Sequence, residues 1–294
     1  MANETTVPQD RIQKTVAIIV KRHPFYSPLL TFYGLVFSAQ EDSEAELRLE
    51  PVHIPDNVLA IRRREKFPLI TLSEFAIDAD RSADLLSRLC DLSREANDEL
   101  RQSGETIDKA LLTGKLLPEE LFSNFLKEDN EAIDRLAVDL KIDSRKLRFF
   151  AYHSIRPSLR RCAAHLTEYL DASRLWLENC CPICGSPPGL SMIRESNNRD
   201  LVCSMCGHAW TVPRIFCPFC GIRDSNELSY FYSDEEPEYR VDVCNGCQTY
   251  IKTVDTRRAN RWIYPPLEQV ATLHLDLKAK DEGFTARVSK ALEW

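Results

Sequence analysis

Apolar residues recur every three or four positions through most of the first 175 residues, a spacing that predicts successive amphipathic helices. Ile12, Val16, Ile19 and Val20 share one face, and that helix should stop at His23-Pro24. Ser27-Pro28 predicts an N-cap and first turn for a second helix carrying Leu29, Leu30, Phe32, Tyr33, Val36 and Phe37. The acidic run from Gln40 reads as a loop after it. Pro51, Pro55 and Pro68 punctuate a less regular stretch. It holds Arg62-Arg-Arg-Glu-Lys, read as a solvated helix face, with a docking patch for an acidic partner as the alternative. Leu85, Leu86, Leu89, Leu92, Ala96 and Leu100 predict one long helix from Asp80 to Ser103. Pro118, the Ile133-Leu136-Ala137-Leu140 face, and Asp143 or Ser144 open or mark further helices, and Pro157 kinks the last or starts another. Cys90 and Cys162 fall on apolar faces and read as core, and His153 and His165 read as structural.

Beyond residue 175 the pattern changes. Leu228-Ser-Tyr-Phe-Tyr and Tyr239-Arg-Val-Asp-Val are β-rich and flank the acidic tip Ser233-Asp-Glu-Glu-Pro, which predicts a hairpin. Trp262, Tyr264 and Pro265-Pro266 lead into a last helix, with Leu267, Val270, Ala271 and Leu277 expected to turn it back onto the body. The expected fold is α+β: an all-α N-terminal domain over 1–175, a cysteine-rich module over 176–258, and a C-terminal helical segment over 259–294.

Cysteine spacing gives the module its chemistry. Eight of the eleven cysteines form four Cys-x-x-Cys pairs: Cys181/Cys184, Cys203/Cys206, Cys217/Cys220 and Cys244/Cys247. Two thiolates three residues apart grip one cation from a single turn, and a tetrahedral site needs two such turns. Four pairs therefore make two four-cysteine sites. Gly185, Gly207 and Gly221 each follow the second cysteine of a pair, where a knuckle reverses at positive φ. Pairing in chain order suits the hairpin that lies inside the second site, and cross-braced pairing is the alternative. Cys180 offers a competing thiolate, but Cys181 completes the turn with Cys184. His208 beside Gly207 reads as a knuckle residue, with ligation the alternative.

The 44% hydrophobic content of the 294 residues permits a sizeable core, and the net charge of −7 disfavours general nucleic-acid binding. Between Cys180 and Arg258 eight basic residues face ten acidic ones, without the basic face of a nucleic-acid-binding zinc ribbon. The first residues carry no secretory pattern and no apolar run is long enough to span a bilayer, so reduced thiols in the cytoplasm are expected rather than a disulfide framework. Phosphate-loop, dinucleotide and nucleophile-elbow motifs are missing from the sequence. The helical context of a thioredoxin-like dithiol is missing too.

Cys181-Pro-Ile-Cys-Gly-Ser-Pro-Pro, Leu201-Val-Cys-Ser-Met-Cys-Gly-His-Ala-Trp, Arg214-Ile-Phe-Cys-Pro-Phe-Cys and Cys244-Asn-Gly-Cys-Gln-Thr-Tyr-Ile-Lys resemble the formate dehydrogenase accessory proteins of the FdhE family. Arg22-His-Pro-Phe-Tyr, Leu29-Leu-Thr-Phe-Tyr and Ala39-Gln are similar to that family's first helices. The resemblance implies a cytoplasmic accessory protein, not an enzyme, that binds the catalytic subunit of a respiratory formate dehydrogenase and is needed for its activation. It implies rubredoxin-like sites for iron or zinc on the eight paired cysteines. Gln248 departs from the family pattern by following Cys247 where glycine is usual. A site of four thiolates leaves no position for water, which argues against hydrolytic metal chemistry; zinc there would be structural, and iron could carry one electron. A rubredoxin-like electron carrier and a zinc-ribbon nucleic-acid module are the alternative functions.

Overall fold

The computed structural model describes residues 9–171, 173–196 and 198–287. Helices come first: α1 (Gln9–Arg22), α2 (Ser27–Ala45), α3 (Asp56–Glu65), α4 (Ala79–Leu92), α5 (Asp98–Leu112), α6 (Pro118–Leu126), α7 (Asn130–Leu140) and α8 (Ser144–Leu166). Strands β1 (Pro188–Ile193), β2 (Arg199–Cys203), β3 (Ala209–Val212), β4 (Leu228–Tyr232), β5 (Tyr239–Cys244) and β6 (Thr249–Asp255) follow, then α9 (Pro265–Ala271), α10 (Leu273–Asp281) and the short β7 (Thr285–Ala286). The α+β class and the order of helical part, cysteine-bearing sheet and C-terminal helix are as expected. The described chain divides into two compact units, 9–52 with 72–162, and 53–71 with 163–287.

In the first unit Ile12, Val16 and Ile19 of α1 and Leu30, Val36 and Phe37 of α2 are buried, as their spacing requires. Three local expectations fail. Ser27 is already the first residue of the helix and Tyr26 stands at the N-cap position, because a 3-10 turn at Pro24–Tyr26 feeds α2 directly. The acidic run does not leave the helix: α2 continues to Ala45, with Gln40, Glu41 and Glu44 buried. Its charges are matched from α8. The Arg160 guanidinium meets both Glu41 and Glu44, and Gln40 accepts from Arg156 while donating to the His153 carbonyl. The helix expected over Asp80–Ser103 is two helices. Asn97 leaves helical geometry and its side chain accepts from the Leu100 N–H, a capping bond that outcompetes continuation. Pro157 lies inside an unbroken α8.

The second unit is built on one sheet of order β3-β2-β1-β6-β5-β4, with β7 also pairing β6. The expected hairpin is present, with Leu228 opposite Cys244 and Tyr232 opposite Arg240. Each half of the sheet is an antiparallel ribbon, and the parallel pairing of β1 with β6, Ser191 opposite Thr253, joins them. Period-2 alternation sends Tyr239, Val241 and Val243 of β5 into a core with Leu190, Met192, Val202, Tyr250 and Val254, where Leu275 and Ala279 of α10 also pack. The C-terminal helix is split at Thr272, whose hydroxyl donates back to the Glu268 carbonyl, and Leu277 is 63% exposed rather than core. Among the described residues no helix is long and apolar enough to cross a membrane.

Candidate metal centres

Cys181 and Cys217 each start a knuckle whose backbone closes in the same way. The Cys181 N–H donates to the Ser186 carbonyl and the Cys217 N–H to the Ile222 carbonyl; Gly185 and Gly221 donate back to the carbonyls of Cys181 and Cys217. Cys203 repeats the closure with the His208 carbonyl. The residue after the second cysteine has positive φ in all four knuckles: 76° at Gly185, 72° at Gly207, 79° at Gly221 and 55° at Gln248. Gln248 therefore adopts the left-handed turn that glycine enters at no steric cost. Its side-chain amide donates to the Asn245 carbonyl.

The turns bring the sulfurs together in chain order. Cys181, Cys184, Cys203 and Cys206 form one cluster and Cys217, Cys220, Cys244 and Cys247 the other, with all sulfurs of a cluster within 4.8 Å of one another. Sγ–Sγ distances include 3.5 Å for Cys184–Cys203, 3.7 Å for Cys184–Cys206, 3.8 Å for Cys181–Cys206, and 3.7 Å for both Cys217–Cys247 and Cys220–Cys244. A tetrahedron with metal–sulfur bonds of about 2.3 Å has edges of about 3.8 Å. A disulfide would put sulfurs at about 2 Å. The donor sets thus fit one four-coordinate cation each, and all eight cysteines are free thiols.

Electrostatics point the same way. Burial pushes the Cys181 and Cys206 thiols well above their ordinary range, while hydrogen bonds from Cys181, Cys203 and Cys206 hold Cys184 well below it. Four thiolates in such a site need a cation to offset their repulsion and desolvation. In the second cluster burial likewise pushes Cys217 and Cys244 up. Burial also opposes ionisation of Cys247, but bonds led by the Thr249 hydroxyl, at 2.8 Å, pull it down.

The clusters differ in access. All four cysteines of the first are buried, whereas Cys220 is exposed and Cys247 half-buried in the second. A strap from the other end of the unit covers the first: the N–H groups of Leu69 and Ile70 donate to the carbonyls of Pro182 and Ile183, both at 2.9 Å. Pro68 lies against Gly185. Arg199 supports the second. Its guanidinium donates to the carbonyl of Phe216, the residue before Cys217, and to Asp242 and Ser191. Periodicity and motif spacing indicate neither the strap nor Arg199.

Residues set aside as non-ligands stay outside both clusters. His208 stacks on Trp210, and burial holds its imidazole down at about 4. Burial pushes the Cys180 thiol up to about 11, and its carbonyl accepts from the Trp176 indole. Cys90 and Cys162 are core.

The FdhE central domain family model matches residues 180–214, which hold the whole first cluster. The Protein FdhE homolog of Aquifex aeolicus is 35% identical over 147 residues, 49% of this chain and 50% of that protein. The homolog of Shewanella oneidensis is 30% identical over 132 residues, 42% of this chain and 41% of its own length. The chain thus spans about half or less of the length of the curated relatives it matches. The crystal structure of the FdhE protein from Pseudomonas aeruginosa shares the fold, with a TM-score of 0.65 over 98% of this chain and 96% of that one at 18% identity. The chain is thus similar to the FdhE proteins over about half its length, carries a stretch matching their central domain, and shares its fold with one of them.

Proposed function

We propose that this protein is a cytoplasmic accessory protein that binds the catalytic subunit of a formate dehydrogenase and is needed for its activation, without being an enzyme itself. Cys181, Cys184, Cys203 and Cys206 hold one metal ion, iron or zinc, and Cys217, Cys220, Cys244 and Cys247 hold a second. The observation that carries the reading is the pair of four-sulfur clusters: each supplies a full tetrahedral shell from cysteine alone, so a bound metal has no coordination site left for substrate. Similarity to the FdhE proteins and the acidic balance of the chain support a protein partner over nucleic acid. Deleting the gene should leave formate dehydrogenase synthesised but inactive, and the intact chain should restore it. Unchanged activity in the deletion strain would defeat the reading.

A second reading, a one-electron iron centre at the second cluster, is favoured by the exposure of Cys220 and the hydroxyl bond to Cys247, both of which tune potentials of thiolate-bound iron. Anaerobic purification with visible spectra and metal analysis tests it. Stoichiometric zinc without iron removes it.

A further inference from the structure

The sheet of the second unit has two unlike faces. Tyr239, Val241 and Val243 enter the core with α10, so Arg240 and Asp242 of the same strand belong to the opposite face. That face bears a cleft of about 490 Å³, walled by the segment leading into the second cluster. Phe216, Phe219 and Tyr230 form its apolar lining, and Arg199, Arg240 and Asp242 its charged one. A cavity of this size and composition is typical of a recognition site.

The polar groups are unequally engaged. Arg199 is anchored by Ser191, the Phe216 carbonyl and Asp242. Arg240 pairs with Asp242, its Nε at 3.0 Å and one terminal nitrogen at 3.4 Å, while its guanidinium lies 4.6 Å over the Tyr230 ring. A guanidinium held on an aromatic face has donors set for a carboxylate. Three arginines, counting Arg214, line the cleft against one aspartate, although the chain as a whole carries −7.

The rim is apolar and open. Ile215 is 52% exposed, Tyr230 56% and Tyr232 49%. Both tyrosines are on β4, the last strand of the sheet order, and among the described residues no strand pairs with its outer edge. A free edge beside a lined cleft is the arrangement that accepts an added strand, with alternate side chains entering the cleft.

We propose that this cleft and the free edge of β4 bind an extended acidic peptide segment of a partner protein. The peptide backbone pairs with β4. Of its alternate residues, one carboxylate meets Arg240 and an aromatic or aliphatic neighbour two positions away lies against Phe216, Phe219 and Tyr230. A nucleic-acid strand, charged at every nucleotide, is disfavoured by the acidic residues Asp234 and Glu235 just past the end of β4, whereas a peptide with its one carboxylate at Arg240 places no charge beside them. Assigning the peptide to a formate dehydrogenase rests on the accessory function above; the groove does not.

The test is a random nonapeptide display library panned against the full-length, metal-replete protein. Enrichment of sequences with an acidic residue two positions from an apolar one is expected. Arg240→Glu should weaken the best peptide at least tenfold, and exchanging its acidic residue for lysine should restore binding to that variant. Ile215→Asp, at an exposed position, carries the same test if Arg240→Glu fails to fold. No enrichment, basic sequences, or peptides that bind both variants as well as the parent would overturn the proposal. Enrichment combined with full formate dehydrogenase activity in the deletion strain would keep the groove and discard the accessory function.

Discussion

A chelator should strip the two four-cysteine sites in a fixed order, the second before the first. Cys220 is exposed, so a competing ligand can attack the edge of the second site without any movement of the fold. The first site is closed by the strap at Pro68–Ile70, and a chelator must lift it. Lifting returns Leu69 and Ile70, both buried, to water. At about 2 kcal/mol for each side chain, opening costs about 4 kcal/mol, before the two backbone hydrogen bonds are counted. That is about a thousandfold in the population of the open form. Zinc-loaded protein mixed with excess chelating dye should release one equivalent quickly and one about three decades more slowly. Alkylation read by mass spectrometry should label Cys220 and Cys247 in the first phase. Ile70→Ala should narrow the gap at least tenfold, since the truncation costs about 2 kcal/mol or more. Release of both equivalents in one phase, or labelling that begins at Cys181 or Cys206, would refute the reasoning.

Three further outcomes are expected. Burial, aided by the Arg156 charge, holds His153 down at about 3, so the native state keeps it neutral while the unfolded chain protonates from about 6.5 downward. Stability should therefore fall as pH drops from about 6.5 toward 3, by up to about 1.4 kcal/mol per pH unit, and denaturant titrations of His153→Gln should show a shallower loss. Gln248→Gly should raise the thermal midpoint slightly, gaining at most about 1 kcal/mol, because φ is already 55° there and the exposed amide bond lost is weak. Arg199→Leu should cost about 3 kcal/mol by breaking a buried charge network, and metal analysis should show loss from the second site while the first is retained.

What the sequence makes legible follows sequence distance. A knuckle is closed by ligands three residues apart and by backbone bonds within five, so the eight cysteines and the reversing residues can be read directly. The β4–β5 hairpin is equally local. The acidic end of α2 misleads because the arginines that neutralise it come from α8, 116 and 119 residues away for Gln40–Arg156 and Glu41–Arg160. Without those partners, Glu41 and Glu44 look like solvent residues. The strap is hidden for the same reason. Pro68–Ile70 look like irregular chain between helices until the first knuckle, more than a hundred residues later, supplies acceptors for two N–H groups.

Joining the two ribbons through β1 and β6 answers a problem of size. A ribbon of about forty residues has too little interior to stand on hydrophobic burial, which is why such modules usually depend on metal. Here Leu190, Met192 and Val202 of the first ribbon share one core with Tyr239, Val241, Val243, Tyr250 and Val254 of the second. The opposite face is tied as well: Asp242 of β5 accepts from Arg199 of β2 and from Thr253 of β6, so one carboxylate links strands of both ribbons. Arg199 then reaches the carbonyl just before Cys217. The closed first ribbon thus braces the second from behind, and its core need not come from the cluster itself. That leaves the second cluster free to keep a cysteine in solvent and a lined cleft at its side, an exposure that a metal-dependent ribbon standing alone could not sustain.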